Sequence, residues 1–450
     1  MTGLRIGQPL YDRLADELLR DSPLESAAIG YAVYDDATQS WFMRDADVMG
    51  AQAYAHRSPV AATLNADFAV TAANGSRARQ EAIVVIHTHP FAKSRPSFST
   101  IDDDGEVELS TYFARRAPIG DHLALVIGPE GCRARRLGTR EHLPVHIVGK
   151  TVQRSEITDG AAAPSDWADR QVRAFGIEGQ RIIQSIHVGI VGLGGTGSIV
   201  CQELAHLGTT KFTLIDPDKL EPTNLNRVAG SHPDDVGSFK VEVARRMISE
   251  IRASADVRPV IGDVVDEGVA AALRECDFIF LCTDSHSSRA IVNQVAYQRL
   301  IPTIDMGTSI TVNSEGGVTH ISGRTQMLAP GLPCLVCCRT LDGEQIRREM
   351  MSAEERTRDQ YVVGDVIPQP AVMSINATSS SLAVTMFLGA VTGIPAKARW
   401  QRYDAINGQV REMTASIDAD CIVCSLEGAL AQGPRWPLPT RKPKPEAIHA

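Results

Sequence analysis

The segment that most constrains the fold is an apolar strand that runs into a glycine-rich turn and then a helix. The strand is IHVGIV (186–191), the turn is GLGGTGS (192–198), and the predicted helix covers residues 199–207. Glycines let the backbone approach a phosphate, and a helix N-terminus offers free amide donors and a positive dipole end. The segment therefore predicts a nucleotide site in a parallel α/β sheet, with the phosphates beside Gly192, Gly194, Gly195 and Gly197.

The residues that follow distinguish between two nucleotide chemistries. The next strand ends in Asp216, which can accept a hydrogen bond from a ribose hydroxyl in either an NAD-dependent or an ATP-dependent enzyme. Adenylyl transfer also needs cations around the α-phosphate and a carboxylate for Mg²⁺, whereas hydride transfer does not. The sequence supplies such groups and so favours ATP with Mg²⁺, and NAD-dependent redox chemistry is the remote alternative. The cations are Arg227 and Lys240, the carboxylates are Asp218 and Asp284, and Asn224 lies in the same stretch.

Together with Arg170, on a predicted helix ahead of the first strand, these segments resemble the ThiF-type adenylyltransferase family, which includes the ubiquitin-activating enzymes. The resemblance runs from about Asp169 to Cys424 and implies a doubly wound, Rossmann-like adenylation domain. It also implies a role for each matched residue. Asp216 would bind the ATP ribose, Arg227 and Lys240 the phosphates, and Asp284 the Mg²⁺, with Asn224 supporting the pocket and Arg170 reaching across a homodimer into the partner's site.

Two CxxC pairs, Cys334 with Cys337 and Cys421 with Cys424, can supply four thiolates to one tetrahedral zinc. This pattern predicts a structural Zn²⁺ site, and the family resemblance implies zinc at matching pairs.

Relatives that pass their product on as a thioester usually keep a cysteine in the segment before the last helix, here residues 359–372. This sequence has none there. The alternatives are direct release of the adenylate, transfer to Cys338, or an oxyester on a hydroxyl, although a hydroxyl is a weak nucleophile without a base. The nearby hydroxyl residues are Ser374, Thr378, Ser379, Ser380 and Ser381.

A second candidate site lies near the N-terminus, where a predicted buried strand ends in His87-Thr-His89-Pro90. Residues two apart on a strand point the same way, so both imidazoles can reach one ion. Asp102 can complete three ligands and leave a position for water, as in catalytic zinc sites. Glu25, beside another predicted strand, could take a proton from that water.

These residues look like the JAMM (MPN-type) metalloprotease family, over about residues 23–127, and imply an α+β domain. The resemblance implies that Glu25 is the general base, that His87, His89 and Asp102 bind Zn²⁺, and that Ser99 donates to the oxyanion. The interval from His89 to Asp102 is about two residues longer than the common form. Asp103 and Asp104 are therefore alternative ligands, and an inactive scaffold is the alternative to a peptidase.

Length and composition suit an ordinary globular protein of two domains. We predict a metalloprotease-like domain over 1–150, a linker over 151–166, the adenylation domain over 167–432 and a mobile tail over 433–450. A net charge of −9 argues against nucleic acid as a partner. The N-terminus has no secretory signal and no apolar run approaches the ~18 residues that cross a membrane, so we expect a cytoplasmic protein.

The combined prediction is an enzyme that adenylylates the C-terminal glycine of a ubiquitin-like protein, with an N-terminal domain that processes or deconjugates the same protein. The expected partners are that ubiquitin-like protein, a ubiquitin-conjugating-like enzyme and a second copy of the chain. One alternative keeps the activating enzyme but makes the N-terminal domain a docking scaffold. Another is sulfur-carrier activation for thiamine or molybdopterin synthesis.

Overall fold

The computed structural model describes residues 2–155, 166–351 and 370–441. The chain forms two compact units. The N-terminal unit comprises Met1–Glu156, Gln298–Leu300 and Leu426–Pro437, and the C-terminal unit comprises Ile157–Tyr297, Ile301–Ser425 and Leu438–Ala450.

The N-terminal unit is built on one mixed sheet with three helices and a small separate hairpin. The sheet order is β11-β10-β1-β3-β2-β6-β7-β8-β9, and β4 pairs with β5 in the hairpin. The elements are β1 (Gly3–Gly7), α1 (Gln8–Leu19), β2 (Ala27–Asp35), β3 (Ser40–Val48), β4 (Tyr54–Ser58), β5 (Ala61–Leu64), α2 (Ala66–Arg79), β6 (Ala82–Thr88), α3 (Thr100–Arg116), β7 (Leu123–Gly128), β8 (Gly131–Arg136), β9 (His142–Leu143), β10 (Val145–Val148) and β11 (Val152–Arg154).

The centre of this sheet carries the predicted histidine strand. Strand β6 is antiparallel to β2 and parallel to β7, and residues Ala82 to Ile86 are buried. Apolar side chains fill both faces of this central strand up to Ile86, and His87 is its first polar and partly exposed residue. Strand β11 extends the sheet over Val152–Arg154, so the first residues of the predicted linker pair with β10.

The C-terminal unit has a doubly wound sheet whose last strands are antiparallel. Its elements are α4 (Asp169–Ser185), β12 (His187–Val191), α5 (Gly197–Leu207), β13 (Lys211–Asp216), α6 (Lys240–Ile251), β14 (Asp256–Ile261), β15 (Phe278–Leu281), α7 (His286–Gln298), β16 (Thr303–Val312), β17 (Val318–Leu328), α8 (Gly343–Met350), α9 (Met373–Val391), β18 (Trp400–Asp404) and β19 (Gln409–Glu412).

The strand order fixes where a ligand can bind in this unit. The order is β14-β13-β12-β15-β16-β17-β18-β19, and the first five strands are parallel. The chain runs outward from β12 to β14 on one side and then restarts on the other side at β15. Ligands of such sheets bind outside the carboxyl ends of the strands where the order reverses. Here that point lies between β12 and β15, and the Rossmann-like prediction for this region is confirmed.

By length and composition, α9 is the one helix among the described residues that could cross a membrane. Polar residues such as Asn376 interrupt its apolar pattern, so no uninterrupted apolar run of ~18 residues occurs there. In the structure 56% of the stretch is buried, and the helix packs on α5, β16 and β17.

Candidate functional site

The glycine turn after β12 needs glycine for packing as well as for phosphate approach. Gly192 has φ +89°, and a Cβ there would lie 2.9 Å from the carbonyl of Cys282. A Cβ on Gly197 would lie 1.9 Å from the Gly192 oxygen, and one on Gly195 would lie 2.1 Å from the Asn376 amide nitrogen. An added Cβ on Gly194 meets nothing within 4 Å. Three glycines therefore pack the turn, while Gly194 leaves room for a ligand.

Asp216 connects this turn to the loop after β13. Its carboxylate accepts hydrogen bonds from the backbone N–H of Leu193 at 2.6 Å and of Asp218 at 2.8 Å. Burial raises the pKa of Asp216. Each carboxylate oxygen has two lone pairs, so both retain the capacity to accept a ribose hydroxyl.

A cavity of about 570 Å³ lies at the carboxyl ends of β12, β13, β15 and β16. Most of the predicted nucleotide residues line it, namely Gly192, Gly194, Gly195, Asp216, Asp218, Arg227, Lys240 and Asp284. Lys240 donates to Asp218 with Nζ to Oδ2 at 2.7 Å, and Arg227 donates to the Thr223 carbonyl at 2.7 Å. The cavity therefore brings both predicted phosphate-binding cations together with the exposed carboxylate of Asp284.

Three of the predicted residues do not line this cavity. Gly197 begins α5 behind the turn, and Asn224 is buried in a short 3₁₀ turn, where its side chain accepts from the Glu221 N–H at 3.3 Å. Arg170 is exposed on α4. Its predicted role in a partner's site stays a prediction.

Sequence reasoning missed a charged group at the β16 side of the cavity. Asp305 is fully buried and pairs with Arg289 at 3.2 Å and with Arg324. Arg289 lines the cavity and also donates to the Asp284 carbonyl at 3.4 Å. Two signals in the sequence could have identified these residues. Asp305 is a charged residue in an apolar strand, and Arg289 follows Asp284 by five residues.

The two predicted CxxC pairs converge in the C-terminal unit. The Sγ atoms of Cys334 and Cys337 are 3.7 Å apart, and the Cys334–Cys421 and Cys337–Cys424 separations are both 3.5 Å. Tetrahedral zinc with Zn–S bonds of 2.3 Å spaces its sulfurs by about 3.8 Å. Hydrogen bonding from Cys424 lowers the pKa of Cys334 to about 5. The four thiols fit a closed Zn²⁺ site.

Cys338 lies outside that cluster, and its thiol accepts from the Gln326 side chain at 3.2 Å. Among the candidate hydroxyls, Ser381 donates to Glu203 at 2.6 Å, and burial raises the pKa of that carboxyl. Most of the segment that lacks a cysteine, residues 359–369, lies outside the described residues. The nature of any covalent intermediate stays a prediction.

The N-terminal unit brings together His87, His89 and Asp102. One ligand atom from each lies within 4.8 Å of the others. Asp102 Oδ1 is 3.3 Å from His87 Nε2, and Oδ2 is 3.4 Å from His89 Nε2. Zinc bonds of 2.0–2.1 Å imply about the same spacing. His87 Nε2 is buried without a hydrogen-bond partner in the described structure, as expected of an atom that binds a metal.

The remaining predicted residues surround this cluster. Glu25 is buried just before β2, with Oε1 at 3.7 Å from His89 Nε2, and burial raises its pKa. Ser99 caps α3, and its hydroxyl donates to Asp102 Oδ2 at 2.8 Å. Burial raises the pKa of Asp102, but the two imidazoles outweigh this effect and hold the pKa well below its ordinary value.

The structure also distinguishes among the three candidate carboxylates. Asp103 pairs with Arg135 at 2.6 Å and with Arg140 at 2.8 Å, while Asp104 is exposed. Arg135 also pairs with Glu106 at 2.9 Å and lies over the Phe98 ring at 3.9 Å. Asp102 is thus the carboxylate of the cluster, and Arg135 holds the first turns of α3 against β8.

The ThiF family model matches residues 168–423. The chain belongs to the ThiF family. The matched region covers the doubly wound sheet, its cavity and most of the four-cysteine cluster, and ATP use is expected of ThiF enzymes.

Curated relatives are similar to part of the chain. Molybdopterin-synthase adenylyltransferase of Escherichia coli is 29% identical over 258 residues, which are 57% of this chain and 94% of that protein. SAMP-activating enzyme E1 of Haloferax volcanii is 29% identical over 162 residues, 36% of this chain and 56% of that protein. Ubiquitin-like modifier-activating enzyme 5 of Drosophila persimilis is 26% identical over 222 residues, 45% of this chain and 55% of that protein.

The two clusters predict the metal content. We expect about two zinc ions per purified chain and about one in the His87→Ala/His89→Ala double variant, because that variant keeps only the four-cysteine site. His56→Ala, an exposed histidine in the same unit, is the matched control and should retain both ions. The measurement is elemental analysis by mass spectrometry. One ion per chain in both the wild type and the double variant would contradict a metal site in the N-terminal unit.

Arg135→Met should destabilise the N-terminal unit by about 3 kcal/mol, because it leaves the buried Glu106 without the cation that pairs with it. Arg140→Met is the matched control: it removes a partner of the same Asp103, but that arginine side chain is 82% exposed, so the cost should stay under about 1 kcal/mol. Urea unfolding measures both. Equal effects of the two variants would show that the buried pairing adds nothing.

Proposed function

We propose that the C-terminal unit activates the C-terminal carboxylate of a ubiquitin-like or sulfur-carrier protein by ATP-dependent adenylylation. The observation that carries the proposal is the cavity at the β12–β15 switch point, where a glycine turn faces Arg227, Lys240 and Arg289. Membership of the ThiF family and the names of its relatives, an adenylyltransferase and two activating enzymes, support the same chemistry.

The reaction joins the protein carboxylate to AMP. A carboxylate oxygen of the terminal glycine attacks the α-phosphorus of ATP, the bond to the bridging oxygen of the β-phosphate breaks, and pyrophosphate leaves. Negative charge grows on the phosphate oxygens in the transition state, where nearby cations stabilise it most. In this proposal Arg227 and Lys240 take that charge. Asp216 orients the ribose, and the amides of the glycine turn bind phosphate oxygens.

Mg²⁺, when bound, neutralises part of the triphosphate charge, and Asp284 is the residue that would hold it. The exposed carboxylate of Asp284 lines the cavity, and its backbone carbonyl accepts from Arg289. Asp284 and Arg289 would therefore act on the same end of the nucleotide, the leaving pyrophosphate.

For the N-terminal unit we propose a zinc-dependent peptidase of the JAMM type that processes or deconjugates the same protein. Zinc, when bound, would polarise the scissile carbonyl and lower the pKa of water. Glu25 would accept the proton of the attacking water and return it to the leaving amine, and Ser99 would donate to the oxyanion. His87, His89 and Asp102 converge, and Glu25 Oε1 lies 3.7 Å from His89 Nε2. This arrangement supports a peptidase over a docking scaffold.

Sulfur-carrier activation for thiamine or molybdopterin synthesis is the second candidate for the C-terminal unit. The match to 94% of a molybdopterin-synthase adenylyltransferase favours it. The metal-ligand cluster of the N-terminal unit favours a ubiquitin-like conjugation system, since trimming and deconjugation need a hydrolase. A homodimer completed by Arg170, a conjugating enzyme as partner and a cytoplasmic location belong to this proposal.

Adenylylation is tested by ATP–pyrophosphate exchange with a panel of ubiquitin-like and sulfur-carrier proteins that end in Gly-Gly. We expect exchange with at least one member, and none when its last glycine is deleted. Arg227→Ala should lower the exchange rate by 10²–10³-fold, the typical cost of losing one group that stabilises transition-state charge. Arg245→Ala, an exposed arginine on α6, is the control. Exchange that survives deletion of the glycine would argue against this reaction.

Peptidase activity is tested on fusions in which the same Gly-Gly protein carries a C-terminal extension. Glu25→Gln should abolish cleavage while zinc stays at about two ions per chain, because the amide cannot take a proton and the ligands are untouched. Its ATP–pyrophosphate exchange should equal that of the wild type. Wild-type protein that holds two zinc ions and cuts no fusion would favour the docking scaffold.

A further inference from the structure

The sheet order determines which end of the nucleotide cavity receives the base. In the proposed function, phosphates bind at the glycine turn after β12 and the ribose binds Asp216 at the end of β13. The next strand outward is β14, so the base extends toward the residues that follow it. There the cavity is lined by Gly262, Asp263 and Val264.

Asp263 is the charged side chain in this loop that lines the cavity. It is partly exposed, and its Oδ1 accepts from the Val265 N–H at 3.2 Å. That hydrogen bond leaves the carboxylate with further acceptor capacity toward a ligand. A hydrogen-bond acceptor that faces the 6-position of the base suits the 6-amino group of adenine, which donates, and opposes the 6-oxo group of guanine, which accepts.

A segment from the far end of the chain holds this loop. The Arg441 N–H donates to the Val265 carbonyl at 2.7 Å, and the Glu267 N–H donates to the Arg441 carbonyl at 2.8 Å. The guanidinium donates to Asp266 at 2.8 Å and lies 3.7 Å from Asp263 Oδ2. Leu438 packs against the core cluster that contains Val264 and Val265. We call Leu438–Arg441 the C-terminal strap.

The strap lies outside the region that the family model matches, which ends at residue 423. It also lies within the tail that the sequence analysis predicted to be mobile. Its described residues instead pair with the loop after β14, residues 262–267, through both main-chain and side-chain hydrogen bonds. Burial raises the pKa of Asp263, and the neighbouring Arg441 opposes this rise, so the arginine favours the ionised acceptor.

We infer that the C-terminal strap completes the nucleotide site: Asp263 selects adenine through its 6-amino group, and Arg441 is the positioning residue that holds Asp263. The inference rests on the proposed function for the nature of the nucleotide. A site built to accept a hydrogen bond discriminates strongly against an analogue that cannot donate one, because its acceptor is left unpaired.

The test measures binding of ATP and GTP to the full chain with Mg²⁺, by isothermal titration calorimetry. The wild type should bind ATP at least tenfold more tightly than GTP, and Asp263→Asn should bring the ratio close to one, since an amide can donate as well as accept. Arg441→Gln should lower the ratio of ATP affinity to GTP affinity, and Arg441→Lys should restore part of that ratio.

In ATP–pyrophosphate exchange, Arg441→Gln should raise the KM for ATP and leave kcat within about twofold. Arg245→Gln is the control.

Purine riboside triphosphate, which lacks the 6-amino group, tests the wild type without any substitution, so the inference does not depend on the folding of a variant. It should bind at least tenfold more weakly than ATP. Equal binding of the two, or an ATP preference that survives Asp263→Asn and Arg441→Gln, would overturn the inference. Selective ATP binding without exchange on any partner would instead count against the proposed function alone.

Discussion

The nucleotide cavity depends on one close backbone approach, between the glycine turn after β12 and the chain that leaves β15. Gly192 lies so near Cys282, and Gly197 so near Gly192, that any side chain there would overlap backbone atoms. Asp216 then fixes the turn through the Leu193 N–H. Strands β12 and β15 are neighbours, and the chain leaves them toward opposite sides of the sheet. A crevice therefore forms outside their carboxyl ends, where a ligand can bind.

Several charged side chains near the two sites are held in ion pairs. In the C-terminal unit the buried Asp305 holds Arg289 and Arg324, and Asp218 holds Lys240. In the N-terminal unit Arg135 holds the acidic first turns of α3, so that Asp102 stays beside His87 and His89. Each arrangement restrains a functional group before a ligand arrives, which lowers the entropic cost of binding.

Much of both sites could be predicted from the sequence because their residues lie at the ends of strongly patterned elements. The strand and glycine turn around Gly192, and the strand before His87, are local patterns with a direct physical meaning. Asn224, Gly197 and the 433–441 segment show the limit. A polar residue can serve a turn as readily as a ligand, and a proline-rich segment can pair through its main chain, which no side-chain pattern reports.

The ThiF sheet, its glycine turn, the four cysteines and the histidine pair can all be predicted from the sequence alone, because each is specified by residue type and short spacing. Tertiary packing, in contrast, is what places Asp102 rather than Asp103 beside the histidines and Arg441 beside the loop of Asp263. The same is true of the contact between Arg289 and Asp305. Such pairs depend on how strands and helices stack, and their separation along the chain carries no information about that.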